Sequence, residues 1–235
     1  MNRRVPDRKL VCALLLLVAQ SGATIMAQTT WEYVPSPPQN EAFLWDVDGT
    51  APDNVWAVGD ERIYYNQFSF DRHSLTIHWD GTQWSRIPSP TPGIYSGGGT
   101  TVSLYDVVSI SNDDAWAVGT YEAQHPVDGF VGFQTIAMHW DGKEWSVVPT
   151  PVTPAGMTGS SLNSVVAIAS DSVYAAGHIV DPIPGDQNDW IGFALHWDGN
   201  HWSPLPQPPI PGRRSQFDDM AVIDQDSLIM IGGHS

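Results

Sequence analysis

One block of residues recurs along the chain and limits its fold more than any other feature. Leu44-Trp45-Asp46-Val47 returns as Leu104-Tyr105-Asp106-Val107, as Leu162-Asn163-Ser164-Val165 and as Phe217-Asp218-Asp219-Met220, at intervals of 60, 58 and 55 residues. Each copy runs into a second block: DNVWAVG at 53–59, DDAWAVG at 113–119, DSVYAAG at 171–177 and DSLIMIGG at 226–233. A third block, IHWDGTQW at 77–84, MHWDGKEW at 138–145 and LHWDGNHW at 195–202, leads into a proline-rich stretch. Nine of the eleven tryptophans fall in repeat positions, and Trp45 and Trp190 do not. Such a period marks an array of supersecondary units, each too small to bury its own apolar face.

The composition of one unit predicts four short strands. Strand a is the LxDV segment and its continuation, as in Leu104 to Ile110, and a polar turn follows at Ser111 to Asp114. Strand b is the WAVG run, whose glycine can supply a bend or an unusual backbone angle. Strand c ends in His-Trp. Asp-Gly is then read as a tight hairpin with positive φ at its central residues. Strand d begins at Trp84, Trp145 or Trp202 and stops at prolines, which cannot donate to a ladder. The 21 glycines and 19 prolines suit turns rather than helices, and no segment after the N-terminal region has a helical period. The expected class is all-β: a β-propeller of four-stranded antiparallel blades with tryptophans between them.

These motifs resemble the kelch repeat of galactose-oxidase-type propellers. The copy ending Leu228-Ile229-Met230-Ile231-Gly232-Gly233 is nearest to that pattern, while Gly59, Gly119 and Gly177 stand singly where kelch has a pair. The resemblance covers most of residues 31–233 and implies architecture. It implies no activity, because propellers carry many unrelated functions.

The units divide the chain into a signal segment (1–27), a d-type strand and lead-in (28–43), blades at 44–103, 104–161 and 162–216, and strands a and b of an incomplete blade at 217–235. Residues 31–38 (WEYVPSPP) match strand d, so N- and C-terminal strands could share one blade. Two readings follow: a small four-bladed ring with a three-stranded closing blade, or a partial propeller cut from a longer chain or completed by a partner. The second is favoured, since strand b of the last copy would otherwise present an open edge.

Arg3, Arg4, Arg8 and Lys9 precede the apolar run Leu10–Ala19, which is too short to span a membrane, and small residues follow at Ala23 and Ala27. This reads as a secretory signal and predicts a secreted or extracytoplasmic protein, with no membrane segment after its removal. Arg3-Arg4 does not continue as a twin-arginine signal. Cys12, the one cysteine, lies near the start of the apolar run rather than at its end, where a lipoprotein site would fall. Its loss with the signal excludes disulfides, thiolate metal sites and a cysteine nucleophile, along with the copper chemistry of galactose oxidases. The whole chain has 10 basic and 26 acidic residues, a net −16. Without residues 1–27 the balance is 6 − 25 = −19. Such a chain repels phosphates, so nucleic acid and anionic lipid are not expected partners.

In a four-stranded blade the a–b and c–d turns share one face of the disc, and the b–c and d–a connections share the other. The b–c segments (60–73, 120–133, 178–190) and d–a segments (86–103, 147–161, 204–216) read as long loops, where binding groups are commonly carried. The candidate ligand-binding residues there are Tyr64, Tyr65, Tyr95, Tyr121 and Trp190, with the carboxylates Asp128 and Asp189. Aromatic faces beside carboxylates suit a sugar, which stacks by its C–H face and donates from its hydroxyls. The competing reading is that the aromatics pin the loops to the blades.

His78, His139 and His196 recur once per blade, too far apart to share a metal ion, and read as structural. Asp80, Asp141 and Asp198 are explained by the turn, and their spacing differs from the sialidase Asp-box. Asp181-Pro-Ile-Pro-Gly-Asp186-Gln-Asn188-Asp189 clusters oxygen ligands for calcium, but matches no standard loop. A solvated acidic loop is the simpler reading. No cofactor and no catalytic residue is assigned. No serine sits in a nucleophile elbow, and the abundant acids leave carboxylate pairing open. The expected function is a non-enzymatic module that binds a glycan or protein. The alternatives are a carbohydrate-active enzyme, or a fragment of one, and a structural array within a larger surface protein.

Overall fold

The computed structural model describes residues 33–37, 41–66, 69–93, 99–125, 128–129, 131–182, 189–206, 215–225 and 227–233. Among them there is no helix. The first sheet runs β1 (Glu41–Ala51), β2 (Asn54–Asn66), β3 (Ser69–Trp79) and β4 (Trp84–Ile87). The second is β5 (Val102–Ser111), β6 (Asp114–Gln124), β7 (Val131–Trp140) and β8 (Trp145–Val148). The third is β9 (Gly159–Ala169), β10 (Ser172–Asp181), β11 (Asp189–Trp197) and β12 (Trp202–Pro204), and a pair, β13 (Asp219–Asp224) and β14 (Ser227–Ile231), follows. Within each sheet every strand pairs antiparallel with its sequence neighbour.

Successive sheets stack face to face, with β1 and β2 against β5, β5 and β6 against β9, and β9 against β13. First strands are therefore innermost, and β4, β8 and β12 form the rim. This is a propeller of four-stranded blades with an incomplete fourth. The stack is an arc: no comparable seam joins β13–β14 to the first sheet among the described residues. Each seam is tied by backbone contacts at its mouth. Arg72 bridges Thr101, Phe133 bridges Gly159, and Ser215 N–H donates to the Trp190 carbonyl at 2.7 Å.

Tryptophans fill the seams. Trp56 is buried with its ring centroid 4.9 Å from Trp140 and 5.0 Å from Trp145 of the next blade. Trp116 repeats the arrangement, 4.9 Å from Trp197 and 5.3 Å from Trp202. Around them pack Val58, Leu104, Ile136 and Met138 in one seam, and Val118, Leu162, Val173 and Leu195 in the next. Removing such a ring costs about 3–5 kcal/mol. The repeat therefore encodes interblade packing directly.

The WAVG glycine acts through room rather than through an unusual angle. None of Gly59, Gly119 and Gly177 has positive φ. A Cβ at these positions would lie 1.8, 1.9 and 2.0 Å from the carbonyl oxygens of Phe43, Ser103 and Ser161, and one at Gly232 would lie 1.8 Å from that of Gln216. Opposite the glycine, strand a carries a bulge: the register skips between Leu44 and Asp46, and again between Leu104 and Asp106. The extra residue is the x of LxDV.

The c–d turn also differs from the expected form. Only the glycine has positive φ (89° at Gly81, Gly142 and Gly199), and the aspartate precedes the turn's centre. Asp80 Oδ1 accepts from the Thr82 and Gln83 N–H groups at 2.8 Å. Asp141 and Asp198 do the same. The carboxylate takes up amides that a four-residue connection leaves unpaired.

The b–c segments are largely strand, not loop. β2 and β3 stay paired out to Tyr64↔Phe70, β6 and β7 to Gln124↔Val131, and β10 and β11 to Asp181↔Asp189. Their aromatic and β-branched residues extend the ladder beyond the glycine. Residues 33–37 carry no strand pairing, and Val34 packs on the cluster of Leu75, Ile77, Trp79 and Trp84.

Candidate functional site

The bulges aim one side chain per blade along the innermost strands: Trp45, Tyr105 and Asn163, with Asp218 at the matching position before β13. A bulge twists its strand and redirects the extra residue, so a position that would face a seam is turned outward. Trp45 is 54% exposed and rests on Phe43, with ring centroids 6.1 Å apart. Its indole N–H donates to Asp60 Oδ1 at 2.8 Å. Tyr105 meets Trp45 edge-on at 6.2 Å.

In the first and third blades the residue after the strand b glycine, Asp60 or His178, supports this row. Asp60, 1% exposed, accepts from Trp45 and lies 3.5 Å from the Arg72 guanidinium. Arg72 also donates to Ser103 Oγ at 3.3 Å. Burial pushes the Tyr105 hydroxyl up from its ordinary range, so it stays protonated as a donor. In the third blade Asn163 Nδ2 contacts His178 Nδ1 at 3.3 Å and donates to the Phe217 carbonyl at 2.8 Å. His178 stacks on Trp190 with centroids 5.0 Å apart, and burial lowers its pKa, so the ring is neutral at pH 7. The b–c and d–a connections meet at this end, as Gly156 N–H to Asp128 (3.0 Å) and Thr158 N–H to Val180 (2.9 Å) show.

Trp190 stands beside this row on β11, 43% exposed. Tyr64 and Tyr65 lie at the far end of β2. Their hydroxyls bond Glu41 and Asp71, and Tyr64 packs on Phe70 with the rings tilted by 51°. Tyr121 is half-buried in the first seam. Asp128 pairs with the buried His125 at 3.0 Å, and Asp189 ends the β10–β11 ladder. These residues sit on three separate blades. Tyr95, Asp186 and Asn188 lie outside the described residues.

The sequence reading passed over Trp45, Tyr105, Asn163 and Arg72. A signal existed: the x of LxDV varies while its flanks repeat, and the two tryptophans outside the repeat, Trp45 and Trp190, are both exposed here.

One residue further along strand a, carboxyls bind the seams. Val107 N–H lies 3.0 Å from Asp46 Oδ2 and 2.8 Å from Asp106 Oδ1. Val165 N–H donates to Asp106 Oδ2 at 2.7 Å, and Met220 N–H to Ser164 Oγ at 3.1 Å. Burial, then the hydrogen bond and charge of Asp46, push Asp106 up to about 8. Asp106 therefore keeps its proton at neutral pH.

The histidines of the HWDG blocks bond within their blades. His78 Nε2 lies 2.8 Å from Asn54 Oδ1, His139 Nε2 2.9 Å from Asp114 Oδ1, and His196 Nε2 3.4 Å from Ser172 Oγ. Each ring also packs on the seam aromatic Trp56, Trp116 or Tyr174.

No protein-family model matches the chain, and no curated protein matches it. Among solved structures it is similar to a mutant of the Bombyx mori GH32 beta-fructofuranosidase in complex with sucrose. The TM-score is 0.45 at 14% identity, over 84% of this chain and 42% of that one. The chain thus spans less than half the length of that enzyme. The propeller class rests on strand order and the repeated seams, not on this likeness.

Proposed function

We propose that the chain is a secreted, kelch-like propeller module that binds a glycan at the mouth of its innermost strands. The observation carrying this reading is the redirected row Trp45, Tyr105, Asn163, backed by Asp60, Arg72 and His178 and flanked by Trp190. An exposed indole with a second aromatic edge-on beside it offers an apolar platform for a sugar C–H face. Asn163, the Tyr105 hydroxyl and the neutral His178 supply hydrogen bonds in fixed positions. The signal-like N-terminus and the net negative charge support an extracytoplasmic, uncharged ligand.

Binding without turnover is favoured over glycoside cleavage. Asp46 and Asp106 both lie against the Val107 amide, at 3.0 and 2.8 Å, rather than on opposite sides of an open cleft. Both are engaged by backbone amides of the seam.

A glycan array on the purified chain, followed by titration of the best hit, tests the proposal. Trp45→Ala and Trp190→Ala are expected to weaken binding at least tenfold each while leaving the melting temperature within about 2 °C, since both side chains are exposed. Tyr64→Ala and Tyr65→Ala are expected to change little. Unchanged affinity in Trp45→Ala refutes the site, and catalytic turnover of the bound glycan refutes the non-enzymatic reading.

A further inference from the structure

Beyond its strand b glycine the first blade carries a group of side chains that the other two complete blades lack. Strand pairing sets Glu41 opposite Arg62 and Phe43 opposite Asp60. In the second blade the same positions hold Thr101 with Glu122 and Ser103 with Thr120. In the third they hold Gly159 with Val180 and Ser161 with His178. All three blades form the same hairpin, so the fold does not require Glu41, Phe43 or Arg62. A surface feature that one repeat carries and its equivalents do without is a place to look for binding.

Arg62 is gripped between two aromatic rings. Its guanidinium carbon lies 5.1 Å from the Phe43 centroid and 4.9 Å from that of Phe70. Such stacking holds the planar fork in one orientation. Arg62 Nη1 is 3.2 Å from Glu41 Oε1, and Glu41 Oε2 also accepts from the Tyr64 hydroxyl. Both partners stay open to solvent, with side chains 27% and 46% exposed. Arg62 faces Arg72 across the strands, but Glu41 offsets the first charge and Asp60, 3.5 Å from Arg72 Nε, the second. Phe43 links this pair to the exposed Trp45, whose ring centroid is 6.1 Å from its own. A single sugar on Trp45 does not reach as far as Arg62, whereas the next unit of a chain does.

We infer that Arg62 and Glu41 form a second sugar subsite, resting on the glycan reading above, so that the ligand is a neutral linear oligosaccharide running from Trp45 towards the tip of the β2–β3 hairpin. A sugar hydroxyl both donates and accepts. A fixed N–H edge beside a fixed carboxylate oxygen therefore matches two neighbouring hydroxyls, one accepting from Arg62 and the other donating to Glu41. The rings of Phe43 and Phe70 already order the guanidinium, so little side-chain freedom is lost on binding. The offset charges favour a neutral chain over an acidic one. Arg62 holds Glu41 without help from Tyr64, in keeping with the small effect expected of Tyr64→Ala.

The probes are neutral linear gluco-, galacto-, manno-, xylo- and fructo-oligosaccharides, from monosaccharide to hexasaccharide, titrated into the purified chain and followed by tryptophan fluorescence and calorimetry. Affinity within a binding series is expected to rise about tenfold between monosaccharide and trisaccharide, the scale of one hydrogen bond to a charged group. Arg62→Ala and Glu41→Ala are each expected to abolish that rise while leaving monosaccharide affinity within about twofold. Glu41→Ala alters an exposed side chain, so it decides the matter if Arg62→Ala does not fold. Trp45→Ala is expected to weaken binding at every length. A wild-type affinity independent of chain length, an undiminished rise in the variants, or an equal loss at every length in them overturns the subsite and leaves the glycan reading standing. No binding by any probe overturns both.

Discussion

Replacing Asp46 by asparagine should weaken a pH dependence that is built into the first seam. In the wild type Asp106 holds its proton up to about 8, because burial and the Asp46 carboxyl both oppose its ionisation. The unfolded chain releases that proton near the ordinary carboxylate value of 3.8. The folded state therefore binds more protons between these values, and stability falls as pH rises from about 4 to about 8. About four decades of proton affinity, at about 1.4 kcal/mol each, amount to roughly 6 kcal/mol. Asp106 is partly reached by solvent and coupled to a neighbouring carboxyl, so about half of that, roughly 3 kcal/mol, is the expected loss. In Asp46→Asn the amide carbonyl can still accept from Val107 N–H, while the amide N–H can donate to an ionised Asp106. The carboxyl then returns towards its ordinary range and the slope flattens. Asp48→Asn is the control: it removes an equal charge two residues away, where Asp48 Oδ2 accepts from Ser109 N–H at 2.7 Å. Urea unfolding at half-unit steps from pH 4.5 to 9 measures all three proteins. Wild type and Asp48→Asn should lose roughly 3 kcal/mol across this range, and Asp46→Asn distinctly less. Curves for wild type and Asp46→Asn that stay parallel within about 0.5 kcal/mol would refute the influence of Asp46 on Asp106.

Other consequences are simpler to measure. Gly119→Ala places a methyl 1.9 Å from the Ser103 carbonyl oxygen. The strands must part, and the variant should lose about 3 kcal/mol or fail to fold, as judged by thermal melting. Gly142→Ala and Gly156→Ala share a φ of 89°, but only the first meets a neighbour, Asp113 Cβ at 2.7 Å. Gly156→Ala should cost about 1 kcal/mol from backbone conformation alone, and Gly142→Ala measurably more by chemical denaturation. Trp116→Ala empties the second seam and should cost about 3–5 kcal/mol, while Trp190→Ala should cost under about 1 kcal/mol. Equal losses for these two would contradict the assignment of buried seam and exposed site.

Much of the architecture was legible because the repeat states its own packing rules. Alternation, the glycine after WAV, the aspartate of the turn and the proline stop are local features, and each acts within a few residues of its position in the chain. They placed strands b, c and d and the seam tryptophans. The glycine's purpose was not legible, because it answers a carbonyl on another strand roughly 15 residues away. The extent of the b–c hairpins was also hidden. Tyr64 and Trp190 fit both a loop and a strand until a partner strand is known, and pairing is a property of two segments together.

Chain order alone determined that similar four-stranded units follow one another with aromatic rings at fixed places, since each unit specifies its own turns and its own apolar face. Where the bulge would aim Trp45, Tyr105 and Asn163, and that Asp46 and Asp106 would meet over one amide, only the assembled arc decided. Those groups lie about 60 residues apart in sequence and are brought together by the angle at which blades stack, which no single unit contains.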